Sequence, residues 1–176
     1  MLDLVNTVVH RNNPAMYLDR LNEPARFAGF AGAASKFRHI ETGTNRIISP
    51  DDKKDQQKLL KLREAANTVF RSNFHHPLED KSSATNLQKL FSAAAQASRH
   101  EQKDHGMISL GLACSMSAMR LLGNSDANQI RACPNCDWLF LDKSKNGSRR
   151  WCDMAVCGNR AKAEKHYRGR VTGSRI

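Results

Sequence analysis

Residues 131–170 read RACPNCDWLFLDKSKNGSRRWCDMAVCGNRAKAEKHYRGR, and this stretch decides how the chain is built. It holds four of the five cysteines, in two pairs: Cys133 with Cys136, and Cys152 with Cys157. The spacing is C-x2-C-x15-C-x4-C. A C-x2-C bend lets two sulfurs converge, and Pro134 and Asn135 suit such a bend. The second pair, four residues apart, fits a turn leading into a helix. Four cysteines paired in a small polar segment with few core residues read as one structural zinc site. A closed set of four thiolates leaves no open coordination position, so metal catalysis is not expected there. His166 is a spare donor that four thiols make unnecessary.

The residues between the pairs predict a hairpin. Trp138-Leu139-Phe140-Leu141 supplies an apolar strand, Asn146-Gly147 a tight turn, and Arg149-Arg150-Trp151 the return strand. Asn159 to Tyr167 then reads as helix. Knuckle, hairpin and ligand-bearing helix make a treble-clef-like outline.

Charge concentrates in the same place. The chain has 28 Lys and Arg against 17 Asp and Glu, net +11, with a pI near 9.8. Residues 131–176 hold 11 basic and 4 acidic side chains, net +7, whereas residues 1–130 hold 17 and 13, net +4. Four thiolates on one zinc would lower the segment to about +5, so the excess survives. Such a balance favours an anionic partner. Lys143, Lys145, Arg149 and Arg150 cluster about the hairpin, and Lys162, Lys165, Arg168 and Arg170 follow on and after the last helix. These eight are the candidate nucleic-acid contacts. Arg160, beside a ligand, reads equally as a brace within the finger or as a contact. Trp151 reads as finger core.

The first 124 residues predict a helical bundle. Leu4, Val5, Val8 and Val9 at helical spacing suggest a helix from Asp3 to about Arg11. Asn22-Glu23-Pro24 opens a second, with Phe27, Phe30, Ala31, Ala34 and Phe37 on one face. Ser49-Pro50-Asp51-Asp52 starts a third, with Ser49 as cap, and Leu59, Leu62, Ala66, Val69 and Phe70 as its buried stripe. Lys53, Lys54, Lys58, Lys61 and Arg63 read as that helix's solvated face. His75-His76-Pro77 reads as loop. Ser82-Ser83 caps a fourth helix, a polar break runs from Arg99 to Gly106, and Met107 to Leu122 is a central apolar helix carrying Cys114 as a small core residue. The fold class expected is mainly α: an orthogonal helical bundle over 1–124, then a treble-clef-like α+β finger with a basic tail over 125–176.

The N-terminus lacks the basic region of a signal peptide, and Met107–Leu122 is too short and polar to span a bilayer. A cytoplasmic setting follows, where paired cysteines serve as metal ligands rather than disulfides. The sequence offers no nucleophile–base pair or glycine-rich phosphate loop, so no catalytic residue is nominated and no enzyme is expected.

The segment from about Arg131 to Arg170, with all four ligand positions, resembles the CGNR zinc finger, whose tetrapeptide stands here as Cys157-Gly158-Asn159-Arg160. The likeness also covers Asp142-x-Ser144 and the run Arg149-Arg150-Trp151-Cys152. The N-terminal part is similar to the helical ABATE domain that usually precedes this finger, through Leu2-Asp3-Leu4-Val5-Asn6-Thr7 and Leu62-Arg63-Glu64-Ala65. Family members usually carry residues before the first of these motifs, so the resemblance implies a helical domain lacking its N-terminal residues. It further implies a bacterial stress-induced transcription regulator: one structural zinc ion, DNA as partner, and a helical domain that senses a signal or forms a homodimer. The competing expectation is a zinc-stabilised protein–protein interaction module.

Overall fold

A computed structural model describes residues 1–44, 46–72, 81–98 and 106–173. The architecture is mainly helical, with a small cysteine-centred finger at the C-terminal end. The expected loop through His75, His76 and Pro77, and the polar break from Arg99 to residue 105, lie outside the described residues.

The chain starts with a single helical turn, α1 (Leu2–Val5). The helix predicted to reach Arg11 does not form. Val8–Val9 is instead strand β1, paired antiparallel with β2 (Leu18–Asp19). Two adjacent β-branched residues fit a pleated surface better than a helix. His10, with φ of 53°, then turns the chain in the left-handed region.

Helix α2 (Pro24–Phe37) begins at Pro24, whose missing N–H costs nothing in a first turn. It buries Phe27 and Ala31 but leaves Phe37 exposed. A short α3 (His39–Thr42) follows, stopped by Gly43 at φ 74°. Strand β3 (Ile47–Ile48) pairs in parallel with β4 (Ile108–Ser109).

Helix α4 (Lys53–Arg71) starts four residues after Ser49. Its cap is Asp52, whose Oδ1 accepts the Asp55 N–H at 2.6 Å. The predicted stripe of Leu59, Leu62, Ala66, Val69 and Phe70 is buried. Lys53, Lys54 and Lys61 are exposed, and Lys58 pairs with Asp55 at 2.5 Å. Arg63 departs from the expectation. It is 4% exposed, donating to Asp19 at 2.7 and 2.8 Å, to Glu64 at 2.7 Å and to Thr7 Oγ1 at 3.1 Å. Solvation was the wrong reading because tertiary packing brings β2, with its carboxylate, against this side of α4.

Helix α5 (Lys81–Ala97) runs through Ser82 and Ser83, which stand inside it rather than at its cap. Helix α6 (Leu110–Gly123) begins three residues later than predicted, capped by Ser109 Oγ at 3.1 Å from the Leu112 N–H. Gly111 lets α6 lie against α5: a Cβ there would stand 2.1 Å from the Ala97 carbonyl oxygen. Cys114 is buried as expected, and burial pushes its thiol up to about 11.

One core joins α1, α2, α4, α5 and α6. It also takes in Ile130 and Leu139, one from each strand of the finger's sheet.

Candidate metal centre and basic face

The finger is built on strands β5 (Ile130–Ala132) and β6 (Leu139–Leu141), antiparallel, with Ala132 opposite Leu139. The Cys133–Cys136 knuckle is the loop of this hairpin. The strand expected over Trp138–Leu141 forms over Leu139–Leu141, but its partner is the segment before the first cysteine. Arg149-Arg150-Trp151, the predicted return strand, is not a strand. The knuckle closes through Asp137 N–H to Cys133 O at 2.9 Å and Cys133 N–H to Trp138 O at 2.8 Å. Asp137 takes φ of 64°, a strained conformation that short polar side chains tolerate best.

Asp142 organises what would have been the second strand. It is buried; its Oδ1 accepts Ser144 N–H at 3.0 Å and Ser144 Oγ–H at 2.6 Å, and its Oδ2 accepts Arg149 N–H at 3.0 Å. The Ser144 hydroxyl, then the two backbone donors, hold this carboxyl below its ordinary range despite desolvation. These bonds satisfy the backbone locally, in competition with a ladder. A turn at Met154–Gly158, opened by Asp153 Oδ1 accepting Val156 N–H at 2.8 Å, carries Cys157 into α7 (Asn159–Gly173).

The four cysteines converge. The sulfurs of Cys133, Cys136, Cys152 and Cys157 all lie within 4.8 Å of one another. Cys136 to Cys152 and Cys152 to Cys157 are each 3.5 Å. A tetrahedral zinc ion with bonds of about 2.3 Å places its sulfurs about 3.8 Å apart, so the set fits one such ion. Phe140 is buried beside the cysteines, with Val9, Trp138 and Trp151 packed around them. Asn135 Nδ2–H donates to Cys157 Sγ at 3.4 Å. Burial pushes the Cys152 thiol up to about 12 and raises Cys136 further. Cys133 also pays for burial, yet N–H donors from Cys152, Asn135 and Cys136 hold it below its ordinary value. A divalent cation bound here would favour the thiolates of the raised Cys136 and Cys152, so loading would release protons. His166 is not part of the cluster and stands exposed on α7.

The finger is fastened to the start of the chain. His10 N–H donates to Cys136 O at 3.0 Å, and Asn12 meets the Asp137 carboxylate through its backbone N–H and its amide, both at 3.2 Å. Arg71 Nη2 donates to the Asp137 carbonyl. Asn6 uses both ends of its amide on Leu139, donating to O and accepting from N–H at 2.8 Å each. Spacing within residues 131–170 gives no hint of these clasps. The only trace is the polar residues interleaved in Asn6 to Asn12.

The eight basic candidates are all exposed. They differ in how free they are. Arg149 turns inward: Nε donates to Trp151 O at 2.9 Å, Nη2 donates to Cys152 O, and the guanidinium lies 5.0 Å from the Phe140 ring centroid. Arg150 lies over the Trp151 ring at 5.3 Å. Arg168 pairs with Glu164. Lys143, Lys145, Lys162 and Lys165 stand exposed. Arg160 is exposed, and Arg149 is the arginine bonded to carbonyls of the finger. Every side chain from Lys162 to Arg168 on α7 is exposed.

No curated protein matches the chain. No helix among the described residues is long and apolar enough to cross a membrane. Residues 129–170 match the family model described as the CGNR zinc finger. The match spans the knuckle, the Asp142 turn, all four converging sulfurs and the start of α7, and over this segment the chain carries a CGNR zinc finger.

Proposed function

We propose that the chain is a zinc-dependent, DNA-binding transcription regulator, with its finger on DNA and its helical part sensing a signal or forming a homodimer. The observation that carries this reading is α7. It is 15 residues long, and its side chains from Lys162 to Arg168 are exposed on every side. A helix with no apolar face has nothing to bury against its own protein. The major groove, about 12 Å wide, accommodates a helix. There, cations on opposite faces of α7 meet phosphates of both strands. Lys143, Lys145 and Arg150 extend the same charge to the finger's loop.

Fluorescence anisotropy of the zinc-loaded chain with a short random-sequence duplex tests this. Affinity should fall with salt at a log–log slope near −0.9 per phosphate contact. Lys162→Gln with Lys165→Gln should flatten that slope by about two contacts, on the same basis. Absence of binding at low salt would reject the reading. Arg149 is a poor test residue, because its loss also strips two carbonyl contacts from the finger.

The alternative, a zinc-stabilised protein-interaction module, is favoured by one feature. Met154 and Val156, on the turn between two ligands, are 52% and 49% exposed. An apolar turn among cations suits an acidic protein surface with a hydrophobic centre. A chain that ignores DNA and loses a purified acidic partner on Val156→Asp would select this reading.

A further inference from the structure

A cleft of about 940 Å³ opens where β2, the first half of α2 and Trp138 of the finger meet. Leu18, Leu21 and Phe30 give it an apolar wall. Arg20 gives it a cationic one, with its guanidinium 5.2 Å from the Trp138 ring centroid. The acids in the cleft are already matched: Asp19 by Arg63 at 2.7 Å, and Asp3 by Arg38 at 2.7 Å. Glu23 and Arg26 offset each other at 3.7 Å. Arg20 has no such partner: among the described residues its guanidinium meets a ring but no carboxylate. The charge left over in the cleft is therefore positive.

Gly29 also borders the cleft. It lies within α2, where glycine weakens a helix relative to alanine. A Cβ added there would meet nothing within 4 Å. Packing inside the chain gives no reason for a glycine at this place. A bulky side chain at this border would compete with a ligand for the space.

We infer that the cleft binds a small organic anion, its carboxylate or phosphate held by Arg20 and its apolar or aromatic body lying against Leu21, Phe30 and Leu18. The ligand sits on the seam between helical part and finger. Asn6, which also lines the cleft, is bonded to the finger strand at Leu139, and Trp138 belongs to the knuckle's exit. The inference does not depend on the DNA reading, and either can fail alone.

The test follows the two tryptophan indole N–H signals of the full, zinc-loaded, ¹⁵N-labelled chain during titration with benzoate, phenyl phosphate and neutral benzamide. Both anions should shift the Trp138 signal saturably and leave Trp151 unmoved, with benzamide at least about tenfold weaker, as befits loss of a charge-assisted bond. Arg20→Gln should weaken the anions by about the same factor. Gly29→Leu, which touches no charge, should abolish binding without lowering the melting temperature. The inference is overturned if neither anion gives a saturable shift, if benzamide binds as well, if Trp151 shifts in parallel, or if Gly29→Leu binds normally.

Discussion

Arg63 sits in a helix whose Lys53, Lys54 and Lys61 face water, yet it is the charge that ties α4 to β2. Burial works against the Asp19 carboxylate, but the Arg63 donors and the Leu21 N–H outweigh it and lower its pKa from 3.8. A carboxyl lowered by folding contributes stability that is complete above its unfolded pKa of about 3.9 and is lost as pH falls through the folded value. Arg63→Met should therefore cost about 3 kcal/mol at pH 7 in urea denaturation. The gap to the unaltered chain should narrow below about pH 4. Among the glycines described, Gly111 sits at the tightest approach, that of α5 to α6. Its missing Cβ is what lets the Ala97 carbonyl approach, so Gly111→Ala should cost about 2 kcal/mol by overpacking α5 against α6, read in the same assay. Both residues are ordinary in the sequence. A charged side chain at a helical position reads as solvated until the carboxylate that faces it is known.

Elements came through the sequence unevenly. The buried stripe of α4 and the Pro24 start of α2 were legible because periodicity and a proline's missing donor are local properties. The first helix was not. Four apolar residues at helical spacing were divided between one turn and a strand, because β2 was there to pair with Val8 and Val9. In the finger, Trp138 to Leu141 contained a strand but the partner strand was misplaced. Asp142 takes the backbone donors of the segment that would have returned. Asn6 acts on the other edge of β6, as a side-chain substitute for a strand. Asn6→Ala leaves the buried Leu139 N–H and carbonyl unpaired. It should cost about 2 kcal/mol, and hydrogen exchange at the Leu139 amide should accelerate while the α6 interior stays protected.

Across the whole molecule, the metal centre and the helical core are mechanically joined. Cys136 and Asp137 present carbonyls to His10 and Arg71, while Ile130 and Leu139 are buried with the helices. A zinc ion on the four sulfurs would add to the backbone bonds that close the knuckle, so its removal should loosen these acceptors as well. Chelation should lower the main melting transition of the chain, not only a finger transition. It should also expose the His10 amide to exchange at the same chelator concentration. A finger that melts alone, with His10 still protected, would contradict this coupling. The coupling also gives the cleft a route to the finger, since Trp138, which lines it, directly precedes β6, and Asn6, which lines it too, is bonded to Leu139.

The metal centre is legible in residues 131–170 alone. Two cysteine pairs at knuckle and turn spacing in a polar segment leave a tetrahedral ion as the arrangement that satisfies them, and the surrounding charge is a matter of counting. The sequence also determined a helical body, because a 3.6-residue period is written in the chain itself. Only the folded chain shows that Arg149 and Arg63 are committed to partners within the protein. Tertiary structure alone decided that the finger shares the helical core, and that a cleft with one unmatched arginine lies between them. The reason is the same in each case: a side chain's charge is local, but its partner comes from residues tens of positions away, and only folding brings the two together.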